Sequence, residues 1–135
     1  MYSRILMLVS LEEGHDLSSM LAAAQRLAMA DTQVTMLHVM AKIPSYASSY
    51  LPFGYQDETR SQIEDALSDI GGNLENVEGV VLHGAPSKVV PDYVHSKGID
   101  CVVVCLPQAG AKNMKTIDLI GQLLRALPCA VHILR

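Results

Sequence analysis

Aromatic and charged residues are scarce in this chain. Its 135 residues include no Trp, one Phe and five Tyr, and 18% are charged, with a formal net charge of −4. A nucleic-acid partner is not expected, because a basic face and stacking platforms are both missing. Long apolar runs are missing too. None approaches the ~20 residues of a membrane-spanning helix, so no membrane partner is expected. The opening MYSRILMLVS carries too short an apolar run for a secretory leader, and no small-residue cleavage site follows it. Three Cys are too few, and odd in number, for a disulfide framework. Cys101 and Cys105 would stand about 13 Å apart along one strand, beyond disulfide reach. The expected home is a reducing cytoplasm.

What the chain does have is aliphatic. Half of it is apolar, and its length is that of one domain, residues 1–135, able to bury roughly two-thirds of the unfolded surface. Ile5 to Val9 is an unbroken apolar run, and Val34 to Met40, Val77 to Leu82, Ile99 to Leu106 and Ala130 to Leu134 are apolar-rich. Such runs suit strands buried on both faces. Between them the spacing changes to that of helices. Leu17, Met20, Leu21, Ala24, Leu27 and Ala28 share one helical face, with Asp16 as N-cap. Ile63, Leu67, Ile70 and Leu74 mark a second helix from about Gln56, weakened by Gly71-Gly72. Pro86 opens a third with Val89, Val90, Tyr93 and Val94 inside, and Gly98 ends it. Pro91 should kink or delay that helix. Thr116 caps a fourth, with Ile117, Ile120, Leu123, Leu124 and Leu127 inward, until Pro128 stops it. Pro44 to Tyr55 and Pro107 to Lys115 read as loops. Met7, Met20, Met29, Met36 and Met40 fall on apolar faces as core filler. Strands alternating with helices imply an α/β fold, an open Rossmann-like sheet of five parallel strands with helices on both faces.

Ligands of such sheets sit beyond the carboxyl ends of strands where the strand order reverses. The chemistry expected there is thin. Glu12-Glu13 suit a solvated loop near a helix N-terminus better than a phospho-acceptor cluster. Ala109 to Thr116 (AGAKNMKT) ends like a phosphate-binding loop, but Ala109 and Met114 replace its glycines. Lys112, Lys115 and the helix start at Thr116 retain some attraction for an anion. No dinucleotide fingerprint and no nucleophile elbow occurs. His38 reads as a satisfied core histidine. His83, His95 and His132 are scattered, with no zinc-site spacing. Cys105 would sit at the sheet's carboxyl edge, where a helix N-terminus can activate a thiol; a buried structural role is the simpler reading.

The chain also resembles the universal stress proteins. The resemblance runs through RILMLVS, VTMLHVM, HGAPSKVVPDYVHSKGIDCVVV and LLRALPCAVHIL, nearly the whole length. It implies sheet order 3-2-1-4-5, a stress-response function, and a homodimer through the last strand. ATP-binding relatives carry an Asp ending the first strand and G-x-x-G-x9-G-[ST] after the fourth. Here Ser10 stands at the Asp, Cys105 and Gln108 at the first two glycines, and Ile117-Asp118 at the Gly-Ser/Thr pair. A shift of one or two residues would bring in Lys115 and Thr116. Val39, whose backbone would face adenine, still matches. Lost small residues mean lost backbone approach to phosphate, and Asp118 adds repulsion. The resemblance is therefore closer to the branch without nucleotide.

The expectation is a non-catalytic cytoplasmic stress-response homodimer with no cofactor and protein partners of unknown identity. The alternatives are an ATP- or AMP-binding regulatory switch with a degenerate pocket, and a thiol sensor built on Cys105. Val131, His132, Ile133 and Leu134 form the expected dimer edge, since an apolar edge strand needs a cover.

Overall fold

Each apolar run becomes a strand that feeds two cores at once. The computed structural model describes residues 2–9, 17–40, 50, 54–71, 76–105 and 114–134. In chain order its elements are β1 (Tyr2–Leu8), α1 (Leu17–Leu27), β2 (Ala28–Met40), α2 (Tyr55–Gly71), β3 (Val77–His83), α3 (Pro86–Lys97), β4 (Cys101–Cys105), α4 (Met114–Ala126) and β5 (Ala130–Leu134). The strands form one sheet in the order β3-β2-β1-β4-β5, and every pairing is parallel.

Alternation along the central strands sorts the side chains. Ile5 and Met7 of β1 pack with Met20 and Ala24 of α1 and Leu67 of α2 on one face. Leu6, between them, packs with Val90 and Val94 of α3 and Ile120 and Leu123 of α4 on the other. Ile5, Leu6 and Met7 are fully buried, which is why the run is continuous rather than alternating. Burial of one such side chain stabilises the fold by roughly 1.5–3 kcal/mol.

Several elements begin or end elsewhere than the pattern suggests. β1 starts three residues before Ile5, because Asp100 fixes its first amides. The Asp100 carboxylate accepts from the Ser3 and Arg4 N–H groups at 2.8 and 3.1 Å, and the Asp100 N–H donates to the Arg4 carbonyl at 3.0 Å. Ile99 and Asp100 are correspondingly outside β4. The Gly98 and Ile99 amides both turn back to the Val94 carbonyl, which closes α3 with Gly98 left-handed at φ 66°. Ala28 belongs to β2 rather than α1. Its strand has an irregularity after the Tyr2–Ala28 pair, and regular pairing resumes at Arg4–Gln33. Thr32 secures the irregular stretch, donating to the Tyr2 carbonyl at 2.6 Å and accepting from the Met29 amide at 2.8 Å. Met29 is consequently 59% exposed and is not core filler.

Pro91 does not delay α3, which runs through it from Pro86. The missing N–H costs one helical bond, and Val90 and Val94, fully buried beside it, hold the turn in place. Tyr55 opens α2 rather than closing a loop. Lys115 and Thr116 lie inside α4, which starts at Met114, so Thr116 is not its cap. Leu124 faces outward at 49% exposure, because α4 turns only Ile120 and Leu123 fully inward. Asp16, Leu74, Leu106 and most of Pro44 to Tyr55 lie outside the described residues, as do the side chains of Leu17 and Ile70.

Candidate functional site

The carboxyl ends of β1 and β4 lie side by side at the centre of the sheet, where the order reverses. The first wall of that site is β1. Val9, just past the strand, is buried, and its amide donates to the Leu37 carbonyl of β2 at 2.9 Å. His38 is 5% exposed, and its Nδ1 lies 3.3 Å from the Val9 carbonyl. A carbonyl only accepts, so Nδ1 is the protonated nitrogen. His38 is thus a core histidine with a partner, as its place in an apolar strand suggests, and it braces β2 against the end of β1.

Val39 follows in β2, paired in register with Leu82 of β3 and half-buried on the α3 side of the sheet. The turn beyond β3 is tightly specified. The Gly84 amide donates to the Met40 carbonyl at 2.9 Å, extending the β2–β3 ladder by one bond. Gly84 holds φ 137°, and a Cβ there would meet Val89 Cγ2 at 2.8 Å. Glycine is required on both counts, and Pro86 then starts α3 at its first position. The Gly-Ala-Pro junction is therefore structural: it sets the angle at which α3 leaves the site.

On the other wall, Cys105 ends β4, half-buried, in register with Leu134. α4 follows β4 in the chain and carries Lys115, Thr116 and Ile117 in its first turn and Asp118 just beyond it. Asp118 is exposed. Val39 and Cys105 thus come to one end of the sheet. Ser10 and Gln108 lie outside the described residues, as do the side chains of Lys115, Thr116 and Ile117.

The remaining thiols have different surroundings. Burial pushes Cys101 up to about 11, with lesser contributions from Cys129 and Asp100. Burial likewise raises Cys129. Both shifts favour the protonated thiol over the reactive thiolate. Among the described residues no group of three or more His, Cys, Asp and Glu side chains is placed to hold a metal ion, and no helix is long and apolar enough to cross a membrane.

At the far side of the sheet, β5 pairs with β4 on one edge, and among the described residues no strand pairs with its other edge. Val131 and Leu134 are half-buried, His132 is exposed, and Ile133 is 42% exposed. A further concavity, which the sequence does not announce, runs along β3 on the α3 face. Its lining comes from four elements far apart in the chain, so no local motif marks it.

Comparison with known proteins follows the same lines. Among solved structures, the fold is similar to universal stress protein UspA from Lactobacillus plantarum, at 16% identity over 99% of this chain and 98% of that one, with a TM-score of 0.71. It is similar to a universal stress protein family member from Burkholderia pseudomallei at 21% identity, 98% and 96% coverage, and a TM-score of 0.63. A universal stress protein family member from Arabidopsis thaliana with AMP bound is similar at 15% identity, 98% and 90% coverage, and a TM-score of 0.61. At these identities the likeness is one of fold. A search of curated proteins gives no match. The model of the universal stress protein family matches residues 1–135, and with the sheet order, the two-sided core and the glycine-proline junction in agreement, the chain belongs to the universal stress protein family.

Proposed function

We propose that this chain is a non-catalytic stress-response protein of the cytoplasm, working as a homodimer joined through β5 and holding no ATP. The carrying observation is the β5 edge. Its backbone groups face outward from the sheet, and Ile133 is 42% exposed beside them. An uncovered apolar edge invites uncontrolled pairing. A two-fold axis that pairs Val131, His132, Ile133 and Leu134 with the same residues of a second copy removes that hazard symmetrically. The absence of ATP is supported at the other end of the sheet. Cys105 stands where a backbone approach to phosphate favours glycine, and Asp118 places an exposed carboxylate near the start of α4, where a phosphate would meet repulsion.

The experiment is sedimentation velocity at micromolar concentration on the natural chain and on Ile133→Lys. A dimer is expected for the natural chain and a monomer for the variant, because two lysines meet at the symmetric edge. A natural chain that sediments as a monomer would refute the proposal.

A second reading keeps a nucleotide. It is favoured by the Arabidopsis thaliana relative, which holds AMP on the same fold, and by Val39 at the matching strand end. Its site would comprise Val39 and Cys105 with Ser10, Gln108 and the start of α4 from Lys115 to Asp118. Calorimetric titration with ATP and AMP separates the two readings: saturable micromolar binding favours the switch, and its absence favours the nucleotide-free dimer.

A further inference from the structure

The concavity along β3 has a volume of about 570 Å³, within the range of small-molecule sites. It lies on the α3 face, running from Arg4 at the amino end of β1 to Leu82, which pairs with Val39. Strand register orders its lining. Arg4 pairs with Gln33 at the amino end of the sheet. Thr35 pairs with Glu78 two residues further along. Val80 and Leu82 continue along the same face of β3. Opposite them, α3 contributes Tyr93 and, one turn later, Lys97.

Charge and polarity therefore change in a fixed sequence along the site. The amino end holds two cations, Arg4 and Lys97. Arg4 is anchored there, its Nη1 donating to the Lys97 carbonyl at 2.5 Å, and its guanidinium has further N–H groups to offer an anion. The middle holds one carboxylate. Glu78 accepts from the Thr35 hydroxyl at 3.3 Å. Burial and the Glu78 charge raise Tyr93 above the ordinary tyrosine range, so its hydroxyl stays protonated beside them. The far end is aliphatic, with Val80 and Leu82 half-buried and open to the site. Among the described residues no ion pair joins Glu78 to Arg4 or Lys97.

We propose that this concavity binds a free α-amino acid with an apolar side chain: the carboxylate at Arg4 and Lys97, the ammonium at Glu78, the side chain against Val80 and Leu82. In such a molecule carboxylate, ammonium and apolar chain branch from one carbon, and the one cavity is lined by a complement to each: two cations, a carboxylate and an aliphatic end. A fatty acid would bring no positive charge to Glu78, and an amine would bring no negative charge to the two cations. Each mismatch forfeits a charge-assisted hydrogen bond.

The test is a titration followed by amide resonances of the isotopically labelled protein. L-Leucine, N-acetyl-L-leucine and L-leucine amide are added separately to the natural chain and to Glu78→Gln. L-Leucine is expected to shift the Glu78, Val80 and Lys97 amides saturably. Each derivative should bind about tenfold more weakly or worse, since each lacks one charge. Glu78→Gln should weaken L-leucine by about tenfold while leaving N-acetyl-L-leucine unchanged. Glu78 is exposed, so the substitution leaves the core intact. No saturable shift with L-leucine overturns the proposal. Equal affinity for all three compounds also overturns it, as does an unaltered affinity in Glu78→Gln.

Discussion

Replacing Gly84 by Ala should destabilise this protein more than any ordinary surface substitution. Two separate costs combine at that position. The first is conformational: φ 137° is a region that residues with a Cβ avoid, at roughly 1–3 kcal/mol. The second is steric: the new Cβ would lie 2.8 Å from Val89 Cγ2, and relieving an overlap of that kind costs about 1–3 kcal/mol. Alanine recovers roughly 0.4–1 kcal/mol through a less flexible unfolded chain. The net loss is about 1–5 kcal/mol, equivalent to a fall in Tm of roughly 4–18 °C for a chain of this length. Urea unfolding at fixed protein concentration measures it, since association shifts apparent stability. Val89→Ala in the Gly84→Ala background separates the two costs. It should restore the steric part and leave the conformational part. A Gly84→Ala variant within about 0.5 kcal/mol of the natural chain would refute the reasoning, and would mean that the junction before α3 is not fixed as described.

Three further outcomes follow from other parts of the fold. Asp100→Ala removes the acceptor for the Ser3 and Arg4 amides; it should cost about 1–2 kcal/mol and speed hydrogen exchange at those two amides. Stability should fall as pH rises from 9 to about 11. The Cys101 thiol, ordinarily titrating at 9.0, is held protonated to about 11 in the folded chain, so the unfolded chain releases its proton first. The loss at the end of that window is roughly 2–3 kcal/mol, and Cys101→Ala should flatten the slope in urea titrations. In the folded chain at pH 8, Cys101 should resist alkylation while denatured protein labels fully; equal rates in the two states would show that β4 is not buried as described.

The central strands were legible because they are buried on both faces, as Ile5, Leu6 and Met7 of β1 show. β5 is an exposed edge strand, yet Ala130 to Leu134 has the same bounds in the apolar pattern and in the fold. The ends of other elements were set by groups that no local pattern contains. Ser3 and Arg4 join β1 because a carboxylate 97 or 96 residues later holds their amides, and Tyr2 joins through its carbonyl, which accepts from Thr32. Ala28 continues the helical spacing of α1, yet Thr32 and the Tyr2 carbonyl draw the chain into β2. Leu124 fits the apolar stripe of α4 but is half exposed. At the carboxyl ends of β1 and β4, the place of Val39 and Cys105 could be read from sheet topology alone. The concavity on the α3 face could not, because Arg4, Thr35, Glu78 and Tyr93 meet only through strand register and the crossing of α3.

Native mass spectrometry of freshly purified protein reads assembly and bound nucleotide in a single spectrum. A species of twice 14.6 kDa, without added mass, is the result expected of a nucleotide-free dimer joined through β5. A monomer, or a dimer carrying the mass of ATP or AMP, would contradict it.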